Sequence, residues 1–241
     1  MNRKKGRDDS GFFLAEGNKM VEEALRSGFR IESVVCTPEF RSLHPEFNSG
    51  LFEWIESDAE TIRKASLLQN PQDALAIVYQ LQSARPEPDF PDDLCLVLDF
   101  IQDPGNMGTI LRIADWFGIS SVICSESTVD CYNPKVVQAS MGAIFRITPH
   151  YTNLEFFLQK ARHSQIPVYG TFLAGNNIYT EKLSKKGLLI LGNEGNGISQ
   201  PIEKLVTHKL FIPSFSTAAN KPESLNVAVA TAICCSEFRR R

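Results

Sequence analysis

The stretch Leu188-Leu189-Ile190-Leu191-Gly192-Asn193-Glu194-Gly195-Asn196-Gly197-Ile198-Ser199 decides the fold. Its apolar run ends in Gly and Asn, and Ser199-Gln200-Pro201 then has the form of a helix start. A short run that is apolar at every position reads as a strand buried on both faces, as in a parallel sheet. In open α/β sheets, ligands gather at the carboxyl ends of such strands. A phosphate cradle would want Gly-Lys-Ser/Thr, whereas this loop centres on an acid, Glu194. It therefore suits a ligand that needs close backbone approach and carries no phosphate. Gly and Asn also supply positive φ cheaply, so a plain tight turn is the competing reading.

Outward from this stretch, strands and helices alternate. Leu94–Leu98 is a strand and Asp103-Pro104-Gly105-Asn106 a turn, and Met107, Ile110, Leu111, Ala114 and Phe117 fall at helical spacing. Strands follow at 122–124, 168–173 and 210–212, helices at 154–161 and from about 225 to 238. The alternation implies an α/β fold with a mostly parallel sheet. Residues 12–81 form a smaller α/β unit, with strands at 12–15, 31–36 and 74–79 and no obvious chemistry of its own. Between the two, residues 83–93 hold three prolines and four acids, the composition of an extended spacer. The expected division is 1–82, a linker at 83–93, and 94–241.

The 241 residues suffice for a sizeable core, and the net charge of −3 carries no global nucleic-acid signature. Basic residues cluster at Arg3-Lys4-Lys5-Arg7, at Lys182/Lys185/Lys186 and at Arg239-Arg240-Arg241. Each reads as a solvated end or turn, the last as a cation pairing with a helix C-terminus. The six cysteines form no Cys-x-x-Cys pair and several lie in apolar runs, so they read as buried, reduced thiols with no zinc or other metal site. The polar N-terminus and the lack of an apolar run of membrane length point to a cytoplasmic protein. No Gly-x-x-x-x-Gly-Lys, Gly-x-Gly-x-x-Gly or Gly-x-Ser-x-Gly is present, and the four histidines have no motif around them.

Three loops stand at the carboxyl ends of predicted strands. The first runs from Asp103 to Arg112. Asn106 there reads as a helix N-cap or a ligand group, and Arg112 as an i,i+3 partner of Asp115 or a functional cation. The second is 192–199. The third follows Ile212-Pro213 and opens an Ala-rich, nearly all-apolar helix, with Ser224 and Asn226 at its mouth as caps or as ligand groups.

Asp103-Pro104-x-Asn106-x-Gly108-x-Ile110-x-Arg112-x-Ala114, Gly192-Asn193-Glu194-Gly195-x-Gly197 and Ile212-Pro213…Ser224-Leu225-Asn226-Val227, in this order, resemble the three motifs of the SpoU/TrmH RNA ribose 2′-O-methyltransferases of the SPOUT superfamily. Residues 12–36, with Glu16-Gly17 after a strand, are similar to the small RNA substrate-binding domain often fused ahead of the catalytic domain. The resemblance implies S-adenosylmethionine as methyl donor, bracketed by Gly192, Ile212 and Leu225, and a reaction centre of Asn106, Arg112, Glu194, Ser224 and Asn226. It also implies structured rRNA or tRNA as substrate, a C-terminal trefoil knot and a homodimer through the C-terminal domain. The chain departs from the pattern in the longer loop 214–222, with Ser214 where Met is usual, and in starting without the basic helix that often precedes the first strand. Arg112 is the resemblance-based candidate for help with the 2′-hydroxyl proton. A guanidinium stays protonated, however, so orienting a phosphate and stabilising alkoxide charge is the milder role. The alternative function is a non-catalytic RNA-binding or ribosome-assembly factor on the same fold.

Overall fold

A computed structural model describes residues 1–47, 50–81, 90, 92–218, 220 and 222–240. The chain starts with α1 (Lys4–Ser10) and then alternates β1 (Phe12–Glu16), α2 (Asn18–Arg26), β2 (Ile31–Cys36), α3 (Pro38–Ser42), β3 (Glu53–Glu56), α4 (Ala59–Ala65) and β4 (Ala74–Tyr79). The sheet order is β1-β4-β2-β3, antiparallel except for the β2–β3 pair. The α2 stripe Met20, Val21 and Ala24 is buried. Side-chain caps start two of these helices: Thr37 Oγ1 accepts from Phe40 N, and Asp58 Oδ1 from Thr61 N. Glu16 is buried and accepts from Ser66 Oγ at 2.6 Å and Leu67 N at 2.8 Å. It holds the loop after α4.

Two sequence-based expectations fail at this end. A helix carrying Lys4, Lys5 and Arg7 does precede the first strand. The polar run 1–10 lacks the apolar periodicity by which a helix is read. Nor is the cluster fully solvated, because Arg7 is only 1% exposed. Its guanidinium donates to Asp130 (Nη2 at 2.5 Å, Nε at 3.1 Å) and to the carbonyls of Met1 and Asn2. A buried cation is tolerated only when paired and bonded in this way.

The second sheet begins with β5 (Leu94–Leu98), which passes through α5 (Pro104–Trp116) into β6 (Val122–Ser125). Then come α6 (Pro134–Ser140), β7 (His150–Thr152), α7 (Leu154–His163), β8 (Val168–Asn177), β9 (Gly187–Leu191), α8 (Gln200–Glu203), β10 (His208–Phe211) and α9 (Val227–Arg240). All pairs in the order β10-β8-β9-β5-β6-β7 are parallel. Every residue of β5 and β9 is buried, as their unbroken apolar runs require. Alternate residues serve opposite layers: Leu96, Leu98, Leu189 and Leu191 pack in the layer of α5, α6 and α9, whereas Cys95, Val97, Leu188 and Ile190 pack with α7 and α8. α5 lies tight on α6, since a Cβ on Gly108 would sit 2.5 Å from that of Ala139. β8 runs on to Asn177, past the expected end at 173, by breaking register against β10 between Lys209 and Leu210.

The two sheets share one core. Phe13 of β1 meets the Tyr132 ring at 4.7 Å, Arg146 bonds both Glu23 and Asp115, and Arg7 reaches Asp130. The first unit is therefore docked on the second and not merely tethered to it. Most of the expected spacer 83–93 lies outside the described residues. Its described positions are anchored: Phe90 packs on Phe157 at 5.2 Å, Asp92 pairs with Lys186, and Asp93 takes a two-point bond from Arg239. Arg239 also donates to the carbonyls of Phe117 and Gly118 at the end of α5, the helix C-terminus pairing expected for the terminal arginines. The Asp93 carboxyl is held below the usual range by that guanidinium.

All six thiols are free and buried. Burial pushes Cys36 up to about 11 and Cys234 and Cys235 up to about 12, and raises Cys95, Cys124 and Cys131 as well.

Arg7→Met is expected to destabilise the chain by an amount at the lower end of the roughly 3–5 kcal/mol for breaking a buried ion pair. The lower end applies because the Asp130 side chain keeps 17% of its exposure. Urea unfolding measures it, and an unchanged midpoint would mean the docking does not depend on this pair.

Candidate active site

Leu98 stands opposite Leu191, so the loops after β5 and β9 leave the sheet side by side. Asp103 caps α5, its Oδ1 accepting from Asn106 N at 2.7 Å, and Pro104 occupies the first turn. The cap is thus Asp103, and the Asn106 side chain is free for other work. Its Nδ2 donates to Glu194 Oε1 at 2.9 Å, while its Oδ1 accepts from Asn226 Nδ2 at 2.9 Å. Asn226 Oδ1 accepts the N–H groups of Ala228 and Val229, capping α9. The amide orientations follow from this network. Asn226 Oδ1 is taken by N–H donors, so its nitrogen faces Asn106, and a carboxylate accepts only from the Asn106 nitrogen. One hydrogen-bonded chain, Asn226–Asn106–Glu194, joins all three loops.

The second loop is closed by its own backbone. Asn193 and Gly197 exchange two N–H···O bonds of 2.9 Å, with Gly197 at φ +69°. A Cβ on Gly192 would fall 2.3 Å from Gly197 C and Ile198 N. Further bonds staple this loop to the first: Asn193 Nδ2 donates to Phe100 O at 2.9 Å and to Gln102 Oε1 at 3.4 Å, and Ser199 N to Asp99 Oδ2 at 2.8 Å. Asn193, Asp99 and Phe100 carry this geometry without having been singled out in the sequence. The Gly-Asn-Glu-Gly turn was the available signal for Asn193. Phe100, at φ +60°, had none, since a bulky side chain disfavours that conformation.

Arg112 is exposed, and among the described residues it has no hydrogen bond or ion pair. Asp115, its possible i,i+3 partner, pairs instead with Arg146 at 2.9 Å. Ser224 is exposed, and its hydroxyl is outside the network. Leu225 is half-exposed and Ile212 partly buried, and their backbone polar groups make no hydrogen bond among the described residues. Backbone groups left open in this way are of the kind that can hold an adenine, and Glu194 at the centre of loop 192–199 disfavours a phosphate. A shallow concavity of about 510 Å³ lined by Phe90, Ile166 and Lys186 lies at the opposite, amino ends of the strands. It contains none of these groups.

A family model described as the SpoU rRNA methylase family matches residues 93–236. The chain belongs to the SpoU rRNA methylase family. The part of this methylase ahead of residue 77 matches the MRM3-like substrate binding domain over residues 1–76. A 23S rRNA (guanosine(2553)-2′-O)-methyltransferase of Bacillus subtilis is 31% identical over 99% of this chain and 93% of its own length. Among solved structures, a TrmH-family protein from Porphyromonas gingivalis has 40% identity and a TM-score of 0.89, covering 99% of this chain and 94% of its own. An AdoMet-bound rRNA methyltransferase from Sinorhizobium meliloti has 32% identity and a TM-score of 0.82, covering 99% and 91%. The six-stranded parallel sheet of this SpoU methylase is thus the SPOUT-type sheet expected from its motifs.

Proposed function

We propose that this protein transfers the methyl group of S-adenosylmethionine to a ribose 2′-hydroxyl of ribosomal RNA, with transfer RNA as the other substrate class to test. The observation that carries the reading is the Asn226–Asn106–Glu194 chain, which brings three separate loops to one point; Arg112, exposed on the same α5, has no partner among the described residues. S-adenosylmethionine supplies an activated methyl on a sulfonium, so the protein's tasks are alignment and help with the hydroxyl proton. Gly192, Ile212 and Leu225 hold the cofactor, largely through backbone groups. Asn106 keeps Glu194 and Asn226 in fixed relation. Arg112, permanently charged, orients the target phosphate and stabilises charge developing on the ribose oxygen. Ser224 grips the substrate backbone. Residues 1–82 bind RNA and residues 94–241 carry the reaction. The target nucleotide lies in a single-stranded loop, where it can be splayed into the site.

Incubation with methyl-labelled S-adenosylmethionine and rRNA, followed by nucleoside analysis, tests the reading: a labelled 2′-O-methylnucleoside is expected. No transfer to rRNA or tRNA, together with no cofactor binding at millimolar concentration, would leave a non-catalytic RNA-binding factor.

The same reading includes a trefoil knot in the last third of the chain, a homodimer and a cytoplasmic setting. The setting is supported by six buried free thiols, and no helix among the described residues is long and apolar enough to cross a membrane. The dimer is supported by large apolar side chains left exposed on α5 and α9, Trp116 at 84% and Val229 at 49%. Trp116→Glu is expected to convert a dimer to a monomer in light-scattering chromatography, as loss of a central aromatic anchor costs about 2 kcal/mol or more. An unchanged mass would place the contact elsewhere.

A further inference from the structure

We infer that Asn193 is a positioning residue for methyl transfer, holding the loop that leads into α5, and so to Asn106 and Arg112, in a backbone conformation it would otherwise leave. The inference rests on the function proposed above. Asn193 is 9% exposed, and its side-chain amide is bonded at both ends. Oδ1 accepts from Gly195 N at 2.9 Å and Asn196 N at 3.0 Å, which shapes the turn around Glu194. Nδ2 crosses to the other loop, donating to Phe100 O at 2.9 Å and Gln102 Oε1 at 3.4 Å.

Phe100 needs such a tether. Its φ of +60° is a left-handed conformation that a side chain of this size rarely adopts and that persists only when the surroundings enforce it. Three bonds do so. Phe100 N donates to Ser125 Oγ at 2.9 Å, Val129 N donates to Ile101 O at 2.8 Å, and Asn193 grips the carbonyl between them. Three residues later Asp103 caps α5, so the direction in which Phe100 sends the chain sets where Asn106 and Arg112 stand. The two halves of one amide therefore set the Glu194 turn and the Asn106 loop in register.

The halves are separable. Asn193→Asp keeps the acceptor for Gly195 and Asn196 but turns the donor toward Phe100 into a second acceptor facing a carbonyl. The expected result is a protein that still folds, with a melting temperature lowered because the new carboxylate oxygen faces a carbonyl, and with S-adenosylmethionine affinity within about twofold. Its kcat should fall about 10- to 100-fold, because a displacement of about 1 Å at a reacting group has effects of that size. The double variant Asn193→Asp/Phe100→Gly tests the cause, since glycine takes a positive φ without a tether. It should regain most of the lost kcat, whereas Phe100→Gly alone should change little.

Equal kcat in Asn193→Asp and wild type would overturn the inference, and so would an absence of rescue by Phe100→Gly. Parallel losses of melting temperature, cofactor affinity and kcat would make Asn193 a structural residue only, also against it. A wild-type protein that transfers no methyl in the same assay would instead sink the proposed function.

Discussion

Gly192→Ala is expected to abolish measurable methyl transfer and to weaken S-adenosylmethionine binding by about 100-fold or more. The added Cβ would lie 2.3 Å from Gly197 C and Ile198 N and 2.5 Å from Gly197 O, all backbone atoms that cannot rotate away. Nor can the loop open freely, because the paired bonds between Asn193 and Gly197 clamp it there. Relief takes a shift of about 1 Å, and overpacking of this kind costs about 1–3 kcal/mol in stability. That is less than the typical stability of a domain, so the variant should fold. Circular dichroism would confirm the fold and calorimetry with S-adenosylmethionine would measure the binding. A folded Gly192→Ala protein with wild-type affinity would show that the loop is not the cofactor cradle.

Arg112→Ala is expected to leave stability within about 0.5 kcal/mol, as for a surface residue without partners, while lowering single-turnover methyl transfer about 100- to 1,000-fold, the usual loss for one transition-state donor. Cofactor affinity should be unchanged, since the proposed cofactor contacts come from Gly192, Ile212 and Leu225. Arg112→Lys should recover little if the guanidinium makes a two-point contact with phosphate, because an ammonium is a point charge. Full activity in the folded Lys variant would rule out any specific role for Arg112. No carboxylate pairs with Arg112 among the described residues, which sharpens this expectation. Asp115, one helical turn on, is paired with Arg146 instead.

Loop 192–199 shows how far local reading reached. Its strand, its helix start and its unsuitability for phosphate follow from residue type and spacing, and the structure places it at the end of a buried parallel strand. Its bonds to the other loops were not legible, because Asn106 and Glu194 lie 88 residues apart and nothing local distinguishes Asn106 as a cap from Asn106 as a bridge. The N-terminal helix escaped notice for the opposite reason. Its one decisive residue, Arg7, is buried by a partner 123 positions away, so periodicity within the segment carries no trace of it.

The sequence by itself determined the alternation of strands and helices, the parallel character of the second sheet, and the three loops that hold the polar groups. These depend on propensity, burial period and turn chemistry, which act over a few residues. Only the tertiary structure decided that Asp103 caps α5 while Asn106 bridges, that Asn193 pins Phe100 at a positive φ, and that the first unit docks through Arg7 and Phe13. Each of these is a contact between distant segments. Its free energy depends on a geometry that exists only once both segments are in place.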